Sequence, residues 1–531
     1  MVARPTPSAS SSSPNLLLLP QQTRKGLLPE PNPRAASLVN LPSTAEEDEE
    51  IEKSPKLQEI SKHSPFGALL SRALPKYTGP FAVGVRDLEV PIPRQSFGTF
   101  RHKHMPHVDA GIVVDTVLFT LFYPCEQQDN PKYVAWFPKL SQTIDGFLKM
   151  ARRTPNVWYR MLAYPTAAAI IHGTTFPAIK GAPVAVPPPT SMPSSFHENG
   201  KWPLMVFSHG VGCSRLMYSA FCGEMASRGF VVAAIEHRDG TSPSSTIVAA
   251  NGATTTLDWI QWSDLDWPEL PEQPTDDSVL RREQVKCRVA EIEAVIETMQ
   301  NISKGFEPDD LLETKDKTDW SLWRNVDASR PVLAGHSLGG SAMLAASAKQ
   351  AYDYRAVLAF DPALQRLMPW VSSLPHPILV INSEEVMRTE FLEVFDKFVP
   401  TARAGLNVYV IGGTTHPSFS DVFLILPDAI NKLTGLHCAA QTVIERIVRA
   451  TEEYLSGRGG SRGYVRYDDV YGDDEDADES VNEAEAETEK PAEAKGKKRR
   501  FWRHRKSNAD EGGKLPYKSM CRPGELAIYR F

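Results

Sequence analysis

The sequence predicts an α/β fold in which helices flank a mostly parallel central sheet, with a disordered segment at each end. Apolar runs of strand length recur through the middle of the chain, and continuous apolar runs are typical of strands buried on both faces of a parallel sheet. These runs are 202–207, 331–334, 355–360, 378–381 and 406–411. Helix-length segments separate them, and the segment 278–300 repeats apolar residues along one helical face. Those residues are Val285, Val289, Ile292, Ile296 and Met299.

Composition divides the 531 residues into three parts. Residues 1–75 are rich in Ser and Pro, a composition that buries too little apolar surface to fold, so this segment is predicted to be disordered. Residues 76–456 form one predicted α/β domain. Residues 457–531 combine an acidic run, 473–489, with a basic run, 497–506, and are predicted to be a charged, largely disordered tail.

Order begins near Tyr77, and the first strands are predicted at 87–91 and 113–123. The stretch 136–159 indicates a helix-bearing insertion that could cover a pocket. The segment 247–274 carries three tryptophans among aspartates, and two interpretations remain open: a lid, or a loop whose tryptophans pack on the domain.

A predicted nucleophile lies in Gly335-His336-Ser337-Leu338-Gly339, between the strand 331–334 and a helix of small residues from 341. A serine hydroxyl attacks an ester when it projects from a sharp strand-to-helix turn, and glycines leave room for such a turn. Ser337 is therefore the predicted nucleophile. The N–H of Leu338 would face the oxyanion that develops during attack.

An acid and a base follow at the ends of later strands, in the order Ser, Asp, His. Asp361 comes directly after the strand 355–360, which Pro362 ends, and His416 lies in a glycine-containing turn after the strand 406–411. Catalytic groups of open α/β sheets gather at this carboxyl edge, so Asp361 and His416 are predicted to complete a triad.

Three other residues are alternatives for the roles of acid and base. Glu384 and Glu385 follow the strand 378–381 at the same edge and rival Asp361 as the acid. His376 lies between two prolines at the opposite end of the sheet and is predicted to be a solvated loop residue.

A second oxyanion donor is predicted in Ser208-His209-Gly210-Val211-Gly212, which follows the strand 202–207. Glycines let the backbone approach the ester closely, so the N–H of Val211 is the expected partner of the Leu338 N–H. For His209, a loop-holding role and a functional role both remain open.

Several motifs in order resemble the platelet-activating-factor acetylhydrolase family, also called lipoprotein-associated phospholipases. They are Phe207–Gly210, Gly229–Asp239, Arg282–Val285, Gly335–Ser337 and Asn382–Glu384, within residues 79–455. The resemblance implies an α/β-hydrolase fold and calcium-independent hydrolysis of short or oxidatively truncated sn-2 acyl esters of phospholipids. It also implies a site made of Ser337, Asp361 and His416, with Val211 and Leu338 as oxyanion donors.

The chain departs from the family where Pro362–Gln365 replaces an aromatic-containing run after Asp361. A general carboxylesterase or polyester hydrolase of the same fold therefore stays an alternative. An inactive hydrolase-fold binding protein is disfavoured because all three triad residue types are present.

Composition also sets expectations about partners and location. The net charge of −7 argues against a nucleic-acid partner, and the six cysteines lack metal-site spacing, so no metal or other cofactor is predicted. No apolar run is long enough to span a membrane, and Leu16–Leu19 is too short for a signal peptide, which favours a cytoplasmic protein. The basic run 497–506 contains Phe501 and Trp502 and could contact an anionic membrane, serve as a nuclear-import signal, bind nucleic acid non-specifically, or stay solvated.

Overall fold

The computed structural model describes the chain from residue 64 onward, with gaps. The described residues are 64–104, 110–188, 200–312, 318–367, 373–387, 389–402, 404–457, 465–466 and 522–529. Most of the two predicted disordered ends, 1–63 and 467–521, including the basic run 497–506, lies outside these residues.

A 12-stranded sheet forms the centre of the domain, with the strand order β15-β16-β14-β13-β12-β11-β6-β7-β3-β1-β5-β4. Its strands are β1 (Ala82–Phe97), β3 (Ile112–Cys125), β4 (Tyr133–Ala135), β5 (Thr175–Lys180), β6 (Trp202–Ser208), β7 (Val231–Glu236), β11 (Val326–His336), β12 (Ala356–Phe360), β13 (Ile378–Ser383), β14 (Leu406–Ile411), β15 (Val465–Arg466) and β16 (Leu526–Tyr529). Two small pairs stand apart from it: β2 (Arg101–His102) with β10 (Leu265–Asp266), and β8 (Ser244–Val248) with β9 (Thr254–Asp258).

Six neighbouring strands, from β7 through β6, β11, β12 and β13 to β14, run parallel. The long antiparallel pair β1 and β3 continues the sheet beyond β7, and β16 pairs antiparallel with β14 at the other side. The predicted mostly parallel sheet is thus confirmed. All predicted active-site residues follow strands of the parallel block, whose carboxyl ends share one edge.

Helices cover both faces of this sheet. They are α1 (Ala68–Ser71), α2 (Leu140–Met150), α3 (Val157–Ile171), α4 (Ser219–Ser227), α5 (Ser278–Ser303), α6 (Leu338–Lys349), α7 (Thr389–Phe398), α8 (Val422–Ile425), α9 (Asp428–Leu433) and α10 (Ala440–Leu455). Alternate residues of one strand therefore enter different cores. In β6, Met205 and Phe207 join the core that includes α4 and α10, whereas Leu204 and Val206 join the core beneath α5 and α6. Burial on both faces explains why these strands read as unbroken apolar runs.

The apolar stripe predicted for 278–300 is core: Val285, Val289, Ile292, Ile296 and Met299 all pack in the cluster beneath α5 and α6. The insertion at 136–159 contains α2 and the start of α3. In the part of the chain that the structure covers, no helix is both long and apolar enough to cross a bilayer.

Two segments outside the predicted domain limits of 76 and 456 contact the domain. At the amino-terminal side, Ala68 of α1 is buried in the core, and the carbonyl of Pro65 accepts the N–H of Asp428 at 3.0 Å. At the other side, β16 pairs with β14, and its Leu526 is buried. The folded unit therefore includes residues on both sides of the predicted 76–456 range.

Candidate active site

Ser337 lies at the turn between β11 and α6, with φ 57° and ψ −123°. Positive φ is strained for a residue with a side chain, and such strain recurs at catalytic turns. The flanking glycines make the turn possible. A Cβ on Gly339 would lie 2.1 Å from the carbonyl oxygen of Ser208, and one on Gly335 would lie 2.6 Å from the backbone of Gly339. Only residues without a side chain fit at these two positions.

The imidazole of His416 joins Ser337 to Asp361. Its Nε2 lies 2.9 Å from the Oγ of Ser337, and its Nδ1 lies 3.1 Å from Oδ2 of Asp361. Because an ionised carboxylate only accepts hydrogen bonds, Nδ1 carries the proton and Nε2 presents a lone pair to the serine hydroxyl. The structure therefore brings the three predicted triad residues together in the order that proton transfer from serine requires.

Asp361 is fixed by its neighbours. It is buried, has φ 42°, and donates its N–H to the carbonyl of Ile381 at 2.9 Å. The backbone N–H of Ser383 donates to Oδ1 at 2.6 Å, and the Ser383 hydroxyl donates to Oδ2 at 2.5 Å. Sequence reasoning missed Ser383, although its place at the end of the strand next to Asp361 was a usable signal.

The rival acids hydrogen-bond to the backbone of the loop that carries the histidine. Glu385 accepts the backbone N–H of His416 at 2.8 Å, and Glu384 accepts the N–H of Gly413. Both carboxylates thus hold the backbone of the turn that carries His416.

The pKa of His416 is raised above the usual 6.5. Burial alone lowers this pKa, but the hydrogen bond and charge of Asp361, with the charge of Glu385, raise it by more. A nearby pair of carboxylates therefore makes this imidazole a stronger base than a free histidine.

The predicted oxyanion donors, Val211 and Leu338, both line the cavity that contains Ser337. Within the described ranges, neither backbone N–H has a hydrogen-bond acceptor. Buried N–H groups are almost always paired, so two unpaired ones beside a nucleophile are suited to an incoming oxygen. Gly210 lets the loop approach, since a Cβ there would lie 3.2 Å from the Cβ of Ser337.

A buried charge network holds this loop from below. The Nη1 of Arg288, on α5, donates to the carbonyl of His209 at 2.5 Å, and its Nε donates to Asp239 at 2.7 Å. His209 is fully buried, with Nδ1 bonded to the carbonyl of Gly210 at 2.8 Å. Burial, with the neighbouring Arg288, lowers the pKa of His209 to about 4, so its ring is neutral at pH 7. This favours the loop-holding role for His209.

A second serine, histidine and acid are joined by hydrogen bonds within the same network. The Nε2 of His237 lies 2.6 Å from the Oγ of Ser208, and its Nδ1 lies 2.5 Å from Glu291. All three are buried, so the Ser208 hydroxyl cannot meet an ester. Burial raises the pKa of Glu291 to about 8 and, as the main cause, lowers that of His237. Burial thus disfavours the charged form of both groups.

Sequence reasoning missed the polar residues of α5 in this network. Arg281, Gln284, Arg288 and Glu291 are all buried on α5. Their spacing of three and four residues places them on one helical face, and that spacing was the available signal.

His376 corrects one sequence expectation. It was predicted to be solvated, but it is buried, and its Nδ1 lies 2.9 Å from the hydroxyl of Ser347 on α6. Its place just before β13, at the end of the sheet opposite the triad, is as predicted.

One cluster near the triad has metal-ligand composition. His336, Asp361 and His416 each bring one ligand-type atom within 4.8 Å of the others. Both ring nitrogens of His416 already bond to Asp361 and Ser337, so a metal would have to displace one of these contacts. The Nδ1 of His336 also lies 2.7 Å from the hydroxyl of Tyr218. The expectation of a metal-free site stays a prediction.

The cavity above Ser337 has a volume of about 590 Å³. Apolar side chains of Val386, Phe391 and Val394 form part of its wall, and Arg281 and Arg366 form another part.

The parallel sheet, the strand-turn-helix at Ser337 and the order of the strand-end residues define an α/β hydrolase. The sequence profile of the family "Platelet-activating factor acetylhydrolase, isoform II" matches residues 67–477. The chain therefore belongs to this family of ester hydrolases.

Two animal enzymes are similar to this chain over at least two thirds of their length. A platelet-activating factor acetylhydrolase from Gallus gallus is 28% identical over 386 residues, which cover 70% of this chain and 79% of that protein. One from Canis lupus familiaris is 28% identical over 350 residues, covering 66% and 68%. A solved ferulic acid esterase from Streptomyces cinnamoneus aligns with a TM-score of 0.46 and 17% identity, over 73% of this chain and 94% of that one.

Proposed function

We propose that the protein is a serine esterase that hydrolyses the short sn-2 acyl ester of phospholipids such as platelet-activating factor, without calcium. The observation that carries this proposal is the 2.9 Å contact between the Ser337 Oγ and the His416 Nε2 at a glycine-lined turn. Family membership supports the phospholipid ester as substrate.

The chemistry proceeds through an acyl-enzyme. His416 Nε2 removes the hydroxyl proton as the Ser337 Oγ attacks the ester carbonyl, and the N–H groups of Val211 and Leu338 bind the oxyanion. The imidazolium, stabilised by Asp361, then protonates the departing lysophospholipid oxygen. Water then gives a proton to His416 as its oxygen attacks the acyl carbonyl. His416 passes this proton to the Ser337 Oγ as the acyl bond breaks, which releases the short acid and restores the free enzyme.

An exposed apolar helix supports a lipid substrate. In α3, Val157, Trp158, Met161 and Leu162 are between 64% and 78% exposed, and no residue of the helix is buried. The helix packs on α2, whose Met150 lies 3.1 Å from the position of a Cβ on Gly212, beside the proposed oxyanion loop. Large exposed apolar patches mark contact surfaces, and tryptophan is common at membrane interfaces.

Peripheral contact with lipid aggregates is therefore assigned to α3 as part of this proposal. The contact predicted at 497–506 lies outside the described residues.

Trp158→Ala should reduce binding to phosphatidylcholine vesicles and leave turnover of a water-soluble ester unchanged. Leu433→Ala is the matched control, since Leu433 is 86% exposed but lies on α9. Equal loss of vesicle binding in both variants, or none in Trp158→Ala, would contradict the assignment.

The alternative is a general carboxylesterase or polyester hydrolase of the same fold. It is favoured by the wall after Asp361, where Pro362 and Ala363 line the cavity in place of larger aromatic residues. A cytoplasmic location stays a prediction that cell fractionation tests.

Two measurements test the proposal. Hydrolysis of phosphatidylcholines that differ only in sn-2 chain length should be fastest for acetyl and fall with length, with excess chelator present throughout. A fluorophosphonate should label the wild type and Ser329→Ala, an exposed control, but not Ser337→Ala. Faster turnover of simple esters than of every phospholipid would favour the alternative, and loss of activity on chelation would refute the metal-free mechanism.

A further inference from the structure

Two arginines lie on the wall of the cavity that contains Ser337. Arg281 comes from α5, and Arg366 comes from the 3-10 helix Leu364–Leu367, shortly after Asp361. The proposed mechanism uses neither of them. Placing a guanidinium near a nucleophile is costly unless it has a partner, because burial disfavours charge.

Among the described residues, one carboxylate hydrogen-bonds to both guanidinium groups. Asp277 accepts from the Nε of Arg281 and from the Nη1 of Arg366, both at 2.9 Å. The other carboxylates of the cavity wall have different partners: Asp361 bonds to His416, and Glu385 bonds to the His416 backbone. Asp277 is thus the carboxylate that bridges the two guanidinium groups.

Two further acids lie near the two arginines. Asp276 is exposed and accepts the backbone N–H of Ser278 at 2.8 Å, and its charge acts through space on Arg366 and Arg282. Asp239, deeper in the domain, is paired with Arg288. Among the described residues, neither acid hydrogen-bonds to Arg281 or Arg366, so neither occupies their remaining N–H groups.

Both arginines also have N–H groups that none of the described residues accepts. The Nη1 of Arg281 donates to Gln284 at 2.7 Å, and its guanidinium lies 5.4 Å from the ring centre of Trp259, which fixes its plane. Arg366 uses Nη1 for Asp277 and Ser278. Across the part of the chain that the structure covers, the Nη2 of Arg281 and the Nε and Nη2 of Arg366 have no acceptor. Such free N–H groups match the oxygens of a phosphate or carboxylate.

We propose that Arg281 and Arg366 form an anion subsite that binds a phosphate or carboxylate oxygen of the ester substrate while its carbonyl meets Ser337. The inference rests on the proposed function, because it assigns specificity within the same cavity. The anion has two possible sources in a phospholipid with a short acyl chain: the headgroup phosphate, or a carboxylate at the end of the acyl chain.

Two substrate pairs separate these sources. The first pair is the p-nitrophenyl monoester of glutaric acid and p-nitrophenyl pentanoate, which differ by a terminal carboxylate. The second pair is a 2-acetyl glycerophosphocholine and the same acetylated glycerol without phosphocholine. The readout is the ratio of kcat/KM for the member that carries the carboxylate or phosphate to that for the member without it, with kcat and KM resolved separately.

Arg366→Gln should lower this ratio roughly ten- to hundredfold for at least one pair, mainly through KM, as expected for a lost hydrogen bond between charged groups. Arg366→Lys should restore part of it, and Arg281→Lys should lower the same ratio. Arg330→Gln, an exposed arginine paired with Asp353, should leave both ratios at the wild-type value.

A fall in the first pair alone assigns the subsite to an acyl carboxylate, and a fall in the second pair alone assigns it to the phosphate. Ratios that stay within twofold of wild type in both pairs overturn the inference. Failure of the proposed function looks different: Ser337→Ala would then keep its activity, whereas the ratios of Arg366→Gln could still change.

Discussion

At the residue scale, the proposed acid and its two rivals contact different parts of the histidine loop. Asp361 contacts the imidazole of His416 and is held by two hydrogen bonds from Ser383. Glu384 and Glu385 instead accept backbone N–H groups of the loop that carries the histidine. One carboxylate therefore sets the tautomer of the ring, and the other two set the position of its backbone.

Asp361→Asn should lower kcat about 10⁴-fold, because an amide no longer stabilises the imidazolium and favours the wrong tautomer. Glu384→Gln keeps an oxygen for the N–H of Gly413 and should lower kcat far less. Steady-state kinetics on a soluble ester, with circular dichroism to verify folding, compare the two variants. A larger loss in Glu384→Gln would transfer the acid role to Glu384.

The raised pKa of His416 predicts the pH dependence of activity. The neutral imidazole is the base, so kcat/KM should fall as the pH drops through a midpoint above 6.5. Glu385 contributes to this raised pKa, so Glu385→Gln should move the midpoint to lower pH while its amide oxygen still accepts the His416 N–H. A pH profile of kcat/KM for both proteins measures the shift. An unchanged or higher midpoint would show that Glu385 does not act on the imidazole.

At the element scale, β6, β11 and α6 meet so closely that glycine is required at their junction. Gly339, in the first turn of α6, faces the backbone of Ser208 at the end of β6. This contact places the proposed nucleophile turn directly against the loop that carries Val211.

Gly339→Ala should destabilise the domain by about 1–3 kcal/mol or more and reduce activity, because its Cβ would meet backbone that cannot move aside. Gly340→Ala is the matched control one position along the helix, where the nearest atom lies 3.1 Å from the added Cβ. Urea unfolding and ester turnover compare the two variants. Equal stability of both would mean that the junction is not tightly packed.

Strand ends explain why the candidate triad could be predicted from the sequence. Ser337, Asp361 and His416 each follow an apolar run that is recognisable without any tertiary contact. The network beneath them could not be predicted in the same way, since Arg288 and Asp239 pair across elements that are distant in the chain. The predicted exposure of His376 is wrong for the same reason, because Ser347 reaches its ring only in the folded protein.

At the scale of the whole molecule, the last described segment completes the sheet beside the histidine loop. Ile411 pairs with Leu526, and the N–H of Gly412 donates to the carbonyl of Glu525 at 3.0 Å. Pro523 packs against Gly413, where an added Cβ would lie 2.9 Å from it. The turn that carries His416 is thus supported by residues that follow it far along the chain.

Truncation after residue 521 should therefore lower both thermal stability and the turnover of a soluble ester, since β14 would become an edge strand and Gly412 would lose its partner. Deletion of 467–520 with a flexible replacement linker is the control, because it retains β16. Melting temperature and kcat/KM are measured for both. Full activity after truncation would show that β16 is dispensable for the site.

Because β16 lies near the end of the chain, the support for the His416 turn is synthesised after all three proposed triad residues. A ribosome releases β14 and the His416 turn long before it releases the residues that pair with them, so the growing chain holds an unsupported histidine loop until β16 emerges. A nascent or prematurely terminated chain would then carry all three proposed triad residues and still lack the support for one of them. Proteolysis between the two strands would leave that support attached only by hydrogen bonds and packing.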